Sequence, residues 1–128
     1  MSLRVPYDTS YSPPAPVADV TLLSPTNPLL NFLAKALLDT GADITVVPDW
    51  LPLRLQLMPV GEVFVAGIDG IPNRFVLYEL NLAIGQLSLQ SLRVAAAPTT
   101  EFILGRDVLN QIDIRLNGPQ LVLEILNY

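Results

Sequence analysis

At 128 residues the chain has room for one domain and one core, but not for two independent lobes. A net charge of −5 with no Lys/Arg cluster excludes nucleic acid as a partner, and no apolar run approaches the roughly 18 residues of a membrane span. Cysteine and histidine are both absent, which removes disulfides, thiolate or imidazole zinc sites, Cys-His and Ser-His nucleophiles and any histidine base; in a hydrolase built from this chain, carboxylates must move the protons.

The first six residues, Met1 to Pro6, lack the continuous apolar stretch of a secretory signal, so a soluble, cytoplasmic protein is expected. Residues 6–16 (PYDTSYSPPAP) carry four prolines and two tyrosines, a composition that favours an extended arm. Residues 1–16 are therefore read as an N-terminal arm and 17–128 as the domain. From Pro16 onward, short runs of Val, Ile and Leu alternate with Pro, Gly, Asn or Asp, which argues for an all-β domain. The runs predict strands at 17–23, 33–38, 44–47, 61–66, 73–84, 87–95, 102–104 and 121–126, following one another as a meander of hairpins. Gly67-Ile68-Asp69-Gly70 supplies a tight turn that would make 61–84 a projecting finger, and Gly85-Gln86 and Asn117-Gly118 are further turn signals. Val108, Leu109 and Ile112 stand at helical spacing and predict one short helix near the C-terminus.

Asp39 ends the apolar run Ala36-Leu37-Leu38 and precedes Thr40-Gly41-Ala42, which puts an acid at the end of a buried strand where small residues let the backbone fold back. Asp-Thr-Gly is also an ordinary turn composition, so the triplet alone does not specify chemistry. The longer segment does: Leu37-Leu38-Asp39-Thr40-Gly41-Ala42-Asp43-Ile44-Thr45-Val46-Val47 closely resembles the active-site segment of the retropepsin family of aspartic peptidases. Phe102-Ile103-Leu104-Gly105-Arg106-Asp107 resembles the family's later motif of two apolar residues and a glycine, and the turn at Gly67-Ile68-Asp69-Gly70 is similar in placement to its flap.

That resemblance implies a pepsin-like half-barrel, the acid protease fold, acting as an endopeptidase without metal or cofactor. One Asp-Thr-Gly per chain supplies one carboxylate, so the implied enzyme is a homodimer in which Asp39 of each subunit meets its copy across a two-fold axis. Two ionised carboxylates ~3 Å apart at an effective dielectric of ~20 would repel by about 5 kcal/mol, so the pair holds one proton, and one acid serves as base while the other donates. Thr40 is implied to hold the two loops in register and Gly41 to run beside bound peptide. The implied substrate contacts are Leu37, Ala42, Asp43, Val46, Gly67, Ile68, Asp69, Gly70 and Ile103. Gly105 and Arg106 are implied to support the loop, Arg106 through a partly buried ion pair with Asp43.

Three departures from the viral pattern stand out. Asp69 places a charge at the flap tip, residues 23–38 imply a longer first hairpin, and Tyr128 and the Pro-rich arm flank residues 121–125, which the resemblance implies to be an interface strand because the family dimerises through interleaved terminal strands. Two other functions compete with peptide hydrolysis. A non-catalytic dimerisation or peptide-binding module would keep the fold without the chemistry. Asp39 and Asp43 as ligands of a hard cation would make a poor site without a further acidic cluster.

Overall fold

The computed structural model describes residues 2–66 and 68–126. Ten strands and two single-turn helices follow one another: β1 (Ser2–Pro6), β2 (Val17–Leu23), β3 (Asn31–Leu38), β4 (Val46–Pro48), α1 (Leu51–Arg54), β5 (Pro59–Ala66), β6 (Pro72–Ile84), β7 (Leu87–Ala97), β8 (Phe102–Leu104), α2 (Arg106–Leu109), β9 (Asp113–Asn117) and β10 (Val122–Leu126). The fold is mostly β, a closed barrel of six strands.

Closure comes from β6. Its first half pairs with β5, from Ala66↔Pro72 to Pro59↔Tyr78, and makes the projecting finger. Its second half pairs with β2 through Thr21↔Ala83, Leu22↔Leu82 and Leu23↔Asn81, which joins the two ends of the run β2-β3-β8-β4-β7-β6. A register irregularity against β7 between Leu80 and Leu82 lets one strand serve both partners, because an irregularity bends and twists the strand that carries it. The barrel is not the simple meander its hairpins suggest: β3 runs parallel to β8 and β4 parallel to β7, pairings that link segments far apart in sequence.

Alternation fills the barrel. Val20 and Leu22 of β2, Leu80, Leu82 and Ile84 of β6, Leu92 and Val94 of β7 and Leu104 of β8 all point inward and are buried. Beneath them a three-stranded sheet in the order β1-β10-β9 contributes Leu123 and Ile125 to the same core. Phe32, Trp50 and Phe102 pack ring to ring at the barrel rim, with the Arg54 guanidinium 5.3 Å from the Phe32 centroid.

The helix content corrects the expectation of one helix. α2 lies within the anticipated 105–112 segment, but α1 is additional, a single turn with Pro52 in its first positions and Leu51 and Leu55 buried beneath it. One turn is too short to show a helical period in sequence. The N-terminal segment also differs from a plain extended arm. Residues 2–6 are a sheet strand, Asp8 and Ala15 form a bridge, and the Tyr11 hydroxyl donates to Glu101 Oε1 at 3.0 Å. No helix among the described residues is long and apolar enough to cross a membrane.

Candidate active site

Asp39 stands one residue past the end of β3, and its backbone N–H donates to the Leu104 carbonyl at 3.0 Å. The parallel register Leu37↔Ile103 and Leu38↔Leu104 sets that contact and brings Gly105 beside the Asp39 loop. The loop turns at once: Gly41 N–H donates to Asp39 Oδ1 at 2.8 Å and Ala42 N–H to the Asp39 carbonyl at 3.2 Å. Asp39 is half-buried, and its second carboxylate oxygen has no hydrogen-bond partner among the described residues. One oxygen is thus held by the loop and the other is free to act. A Cβ on residue 41 would sit 3.1 Å from Asp39 Oδ1, so glycine keeps that space open.

The supporting turn packs more tightly still. A Cβ on Gly105 would lie 2.7 Å from the Ile44 carbonyl carbon and 2.9 Å from the Ala42 oxygen, a position no side chain can occupy without moving backbone. From this turn Arg106 N–H donates to the Ala42 carbonyl at 2.8 Å, and the Arg106 guanidinium donates to the Thr40 carbonyl at 2.6 Å. Arg106 therefore supports the loop through its backbone, and the expected ion pair with Asp43 is not formed. The ion pairs among the described residues are Lys35–Asp19 and Arg74–Glu62, and Asp43 is solvent-exposed. The physical reason is reach: the guanidinium is already committed to a backbone carbonyl one turn earlier in the loop.

Thr45 and Asp107 lie within the two motif segments without an expected role of their own, yet they tie the two segments together. Thr45 is 2% exposed. Its N–H and hydroxyl donate to the two oxygens of Asp107 at 3.0 and 2.7 Å, and the hydroxyl in turn accepts the Gly105 N–H at 3.2 Å. A threonine interrupting the apolar run Ile44-Val46-Val47 was the available clue, because a polar side chain buried among apolar neighbours needs a partner.

Next to the Asp39 loop, lined from Gly41 onward and not by Asp39 itself, opens an apolar cleft of about 380 Å³. Gly41, Ala42, Asp43, Val46 and Ile103 line it, and Val65, Phe75 and Ala95 join them from β5, β6 and β7. Leu37 does not line this cleft; it sits within β3 opposite Val17 and Ile103. Ile68, Asp69 and Gly70 stand at the exposed finger tip, where Asp69 Oδ1 accepts the Ile71 N–H at 3.0 Å and Gly70 has a φ of 75°. Gly67 lies outside the described residues. A larger hollow of about 640 Å³ lies between β5 and β7, lined by neither Asp39 nor Gly41. Among the described residues no cluster of three or more acidic side chains could hold a metal ion.

A closed six-stranded barrel carrying Asp-Thr-Gly at a strand end is the arrangement of the acid protease fold. The family model for retroviral aspartyl protease matches residues 15–117, and the chain belongs to that family. Three solved structures share the fold. A retropepsin-like aspartic protease from Rickettsia conorii superposes with a TM-score of 0.68 at 13% identity, covering 98% of this chain and 89% of that one. EIAV protease complexed with the inhibitor HBY-793 gives a TM-score of 0.62 at 22% identity over 84% and 93% of the two chains. The retroviral protease-like domain of Ddi1 from Leishmania major gives 0.54 at 15% identity over 88% and 90%. Among curated protein sequences, none matches.

Proposed function

We propose that the chain is one subunit of a homodimeric aspartic endopeptidase whose catalytic pair is Asp39 of each subunit. The observation that carries this reading is the state of the Asp39 carboxylate: one oxygen is fixed by the Gly41 N–H, and the other has no partner among the described residues, in a loop whose Gly41 and Ala42 line an apolar cleft. A single such carboxylate cannot be both acid and base, which is why the reading requires two chains.

In the dimer the pair shares one proton. The ionised member takes a proton from a water attacking the scissile carbonyl, and the protonated member donates to the oxygen on which charge develops, with no covalent intermediate. Peptide lies extended between the Gly41 loop and the β5–β6 finger, and adds its backbone to theirs in the β-augmentation mode. Val46, Val65, Phe75 and Ile103 make the cleft apolar, so hydrophobic residues flanking the cut are the expected preference.

The test is cleavage of an unfolded protein substrate between pH 3 and 7 by wild type and Asp39→Asn, above and below the dimer dissociation constant. Activity that disappears in the variant and on dilution supports the shared pair. A folded wild-type dimer that cleaves nothing at any pH would leave a binding module as the correct reading.

A further inference from the structure

Residues 7–16 form a closed loop fastened at both ends. The Tyr7 N–H donates to the Leu121 carbonyl at 2.8 Å, and the Pro16 carbonyl accepts the N–H of Leu38, the residue before Asp39, at 3.1 Å. Asp8 and Ala15 exchange two backbone bonds of 2.8 and 3.2 Å, which draw the neck of the loop together. Asp8 Oδ1 also accepts the Ser10 N–H at 2.8 Å and the Ser10 hydroxyl at 2.7 Å, and so turns the chain toward its tip. From Asp8 to Pro16 no side chain belongs to the hydrophobic core, so core packing does not explain why the loop is folded.

The tip of the loop reaches the wall of the cleft. The Tyr11 hydroxyl donates to Glu101 Oε1 at 3.0 Å, a part-buried bond to a carboxylate, which is among the stronger kinds of side-chain hydrogen bond. From Glu101 the contacts continue inward. Its N–H donates to the Thr99 hydroxyl at 3.1 Å, and the Thr99 N–H donates to the Ala97 carbonyl at 2.8 Å. Ala97, Thr99 and Ile103 line the apolar cleft next to the Asp39 loop. β7 ends at Ala97 and β8 begins at Phe102, so residues 98–101 belong to neither strand. Among the described residues, Tyr11 is the one side chain from outside this stretch that hydrogen-bonds to it.

We propose that Tyr11 is a positioning residue for the cleft: residues 7–16 act as a strap that holds the 98–101 loop in place, and thereby set the size of the side chain accepted against Thr99 and Ile103. What the cleft holds is taken from the peptidase reading, on which the inference rests. The chain of contacts is short. Tyr11 restrains Glu101, Glu101 restrains Thr99, and Thr99 is part of the wall. The same strap is rooted at Leu38, so one segment is fastened both to the strand that carries the Asp39 loop and to the loop that faces the cleft beside Ile103. An apolar pocket discriminates by fit, at about 10- to 200-fold for a single methylene, so a wall released by a lost hydrogen bond changes preference without touching the reacting carboxylate.

Four proteins test the strap: wild type, Tyr11→Phe, Glu101→Ala and Glu101→Gln. Tyr11→Phe deletes the donor and Glu101→Ala the acceptor, whereas Glu101→Gln keeps an oxygen for the phenol. Amide hydrogen exchange needs no activity. It is expected to quicken by about fivefold at residues 99–101 in Tyr11→Phe and Glu101→Ala, the factor for one modest hydrogen bond, and to stay near wild type there in Glu101→Gln and at residues 41–44 in all four. Peptides that differ only in one side chain flanking the cut, alanine, leucine or phenylalanine, are then compared. In the two deletion variants KM is expected to change by unequal factors, at least about threefold apart between alanine and phenylalanine, with kcat little altered and Glu101→Gln restoring the wild-type order. A bond that merely pinned the N-terminal segment would lower the melting temperature and leave the order of peptides alone. Unchanged exchange at residues 99–101 in Tyr11→Phe, or equal KM factors for every peptide, overturns the inference. A wild type that cleaves no peptide would sink the peptidase reading instead; binding of the same peptides then replaces KM, and the exchange rates still decide whether Tyr11 holds the wall.

Discussion

Asp107 meets Thr45 with both carboxylate oxygens, at 2.7 and 3.0 Å, across sixty-two positions of sequence. The contact joins α2 to the strand that follows the Asp39 loop, and the Thr45 hydroxyl passes the bond on to the Gly105 N–H. Each half of the site is therefore positioned by the other. Thr45→Val keeps the side-chain shape but removes the hydroxyl's bond to Asp107 Oδ1, which retains the Val108 N–H at 2.9 Å, and leaves the Gly105 N–H without its acceptor, an expected loss of ~1–3 kcal/mol in urea denaturation. Thr45→Ser, which retains the hydroxyl, is expected to lose well under half of that.

Gly105 is the point of closest approach between the two segments, with the Ile44 backbone 2.7 Å from where a Cβ would stand. Gly105→Ala has no flexible side chain to push aside, so the Asp39 loop must move. The expected outcome is a loss of ~1–3 kcal/mol, the usual range for overpacking, together with a peptidase activity that falls further than stability does. Thermal melts and initial cleavage rates on the same preparations separate the two effects. A variant with wild-type activity would show that the loop tolerates displacement.

Much of this architecture was legible because its signals are local. Runs of Val, Leu and Ile broken by turn residues mark β2, β6, β7 and β8 closely, and the Asp39 segment carries its chemistry in consecutive residues. What escaped was set by distant partners. β1 is five residues ending in proline and reads as part of an arm until β10 pairs with it. β9 has the alternation Ile114-Arg115-Leu116, too brief to count against the neighbouring helix and turn signals. Arg106 and Asp43 look like partners by charge, but the guanidinium finds the Thr40 carbonyl first, a contact with no side-chain signature.

The N-terminal segment is held to the β7–β8 loop by the Tyr11–Glu101 hydrogen bond. Partial burial, then the bond to Glu101 and the nearby negative charge of Glu101 and Asp8, raise the Tyr11 phenol above its ordinary value near 10.0. The fold thus favours the neutral phenol. Below the unfolded value both states keep the proton and nothing changes; above it the unfolded chain ionises first, so stability falls as pH rises past about 10. Melting temperatures measured from pH 8 to 11 are expected to drop on the alkaline side, less steeply in Tyr11→Phe than in wild type. An identical alkaline slope in the two proteins would show that Tyr11 titrates in the same way folded and unfolded.

Asp69 brings two separable properties to the finger tip: a carboxylate oxygen that accepts the Ile71 N–H at 3.0 Å, and a negative charge. The first shapes the turn into Gly70, whose φ of 75° needs a glycine. Asp69→Asn preserves the acceptor and removes the charge, while Asp69→Ala removes both. In the proposed peptidase the turn closes over peptide and depends on its geometry, so KM for a peptide substrate is expected to rise several-fold, by about 3- to 10-fold, in Asp69→Ala and to stay near wild type in Asp69→Asn, the range of one modest hydrogen bond. If the charge governed closure instead, Asp69→Asn would itself change KM. Equal KM values in all three proteins would remove Asp69 from both roles.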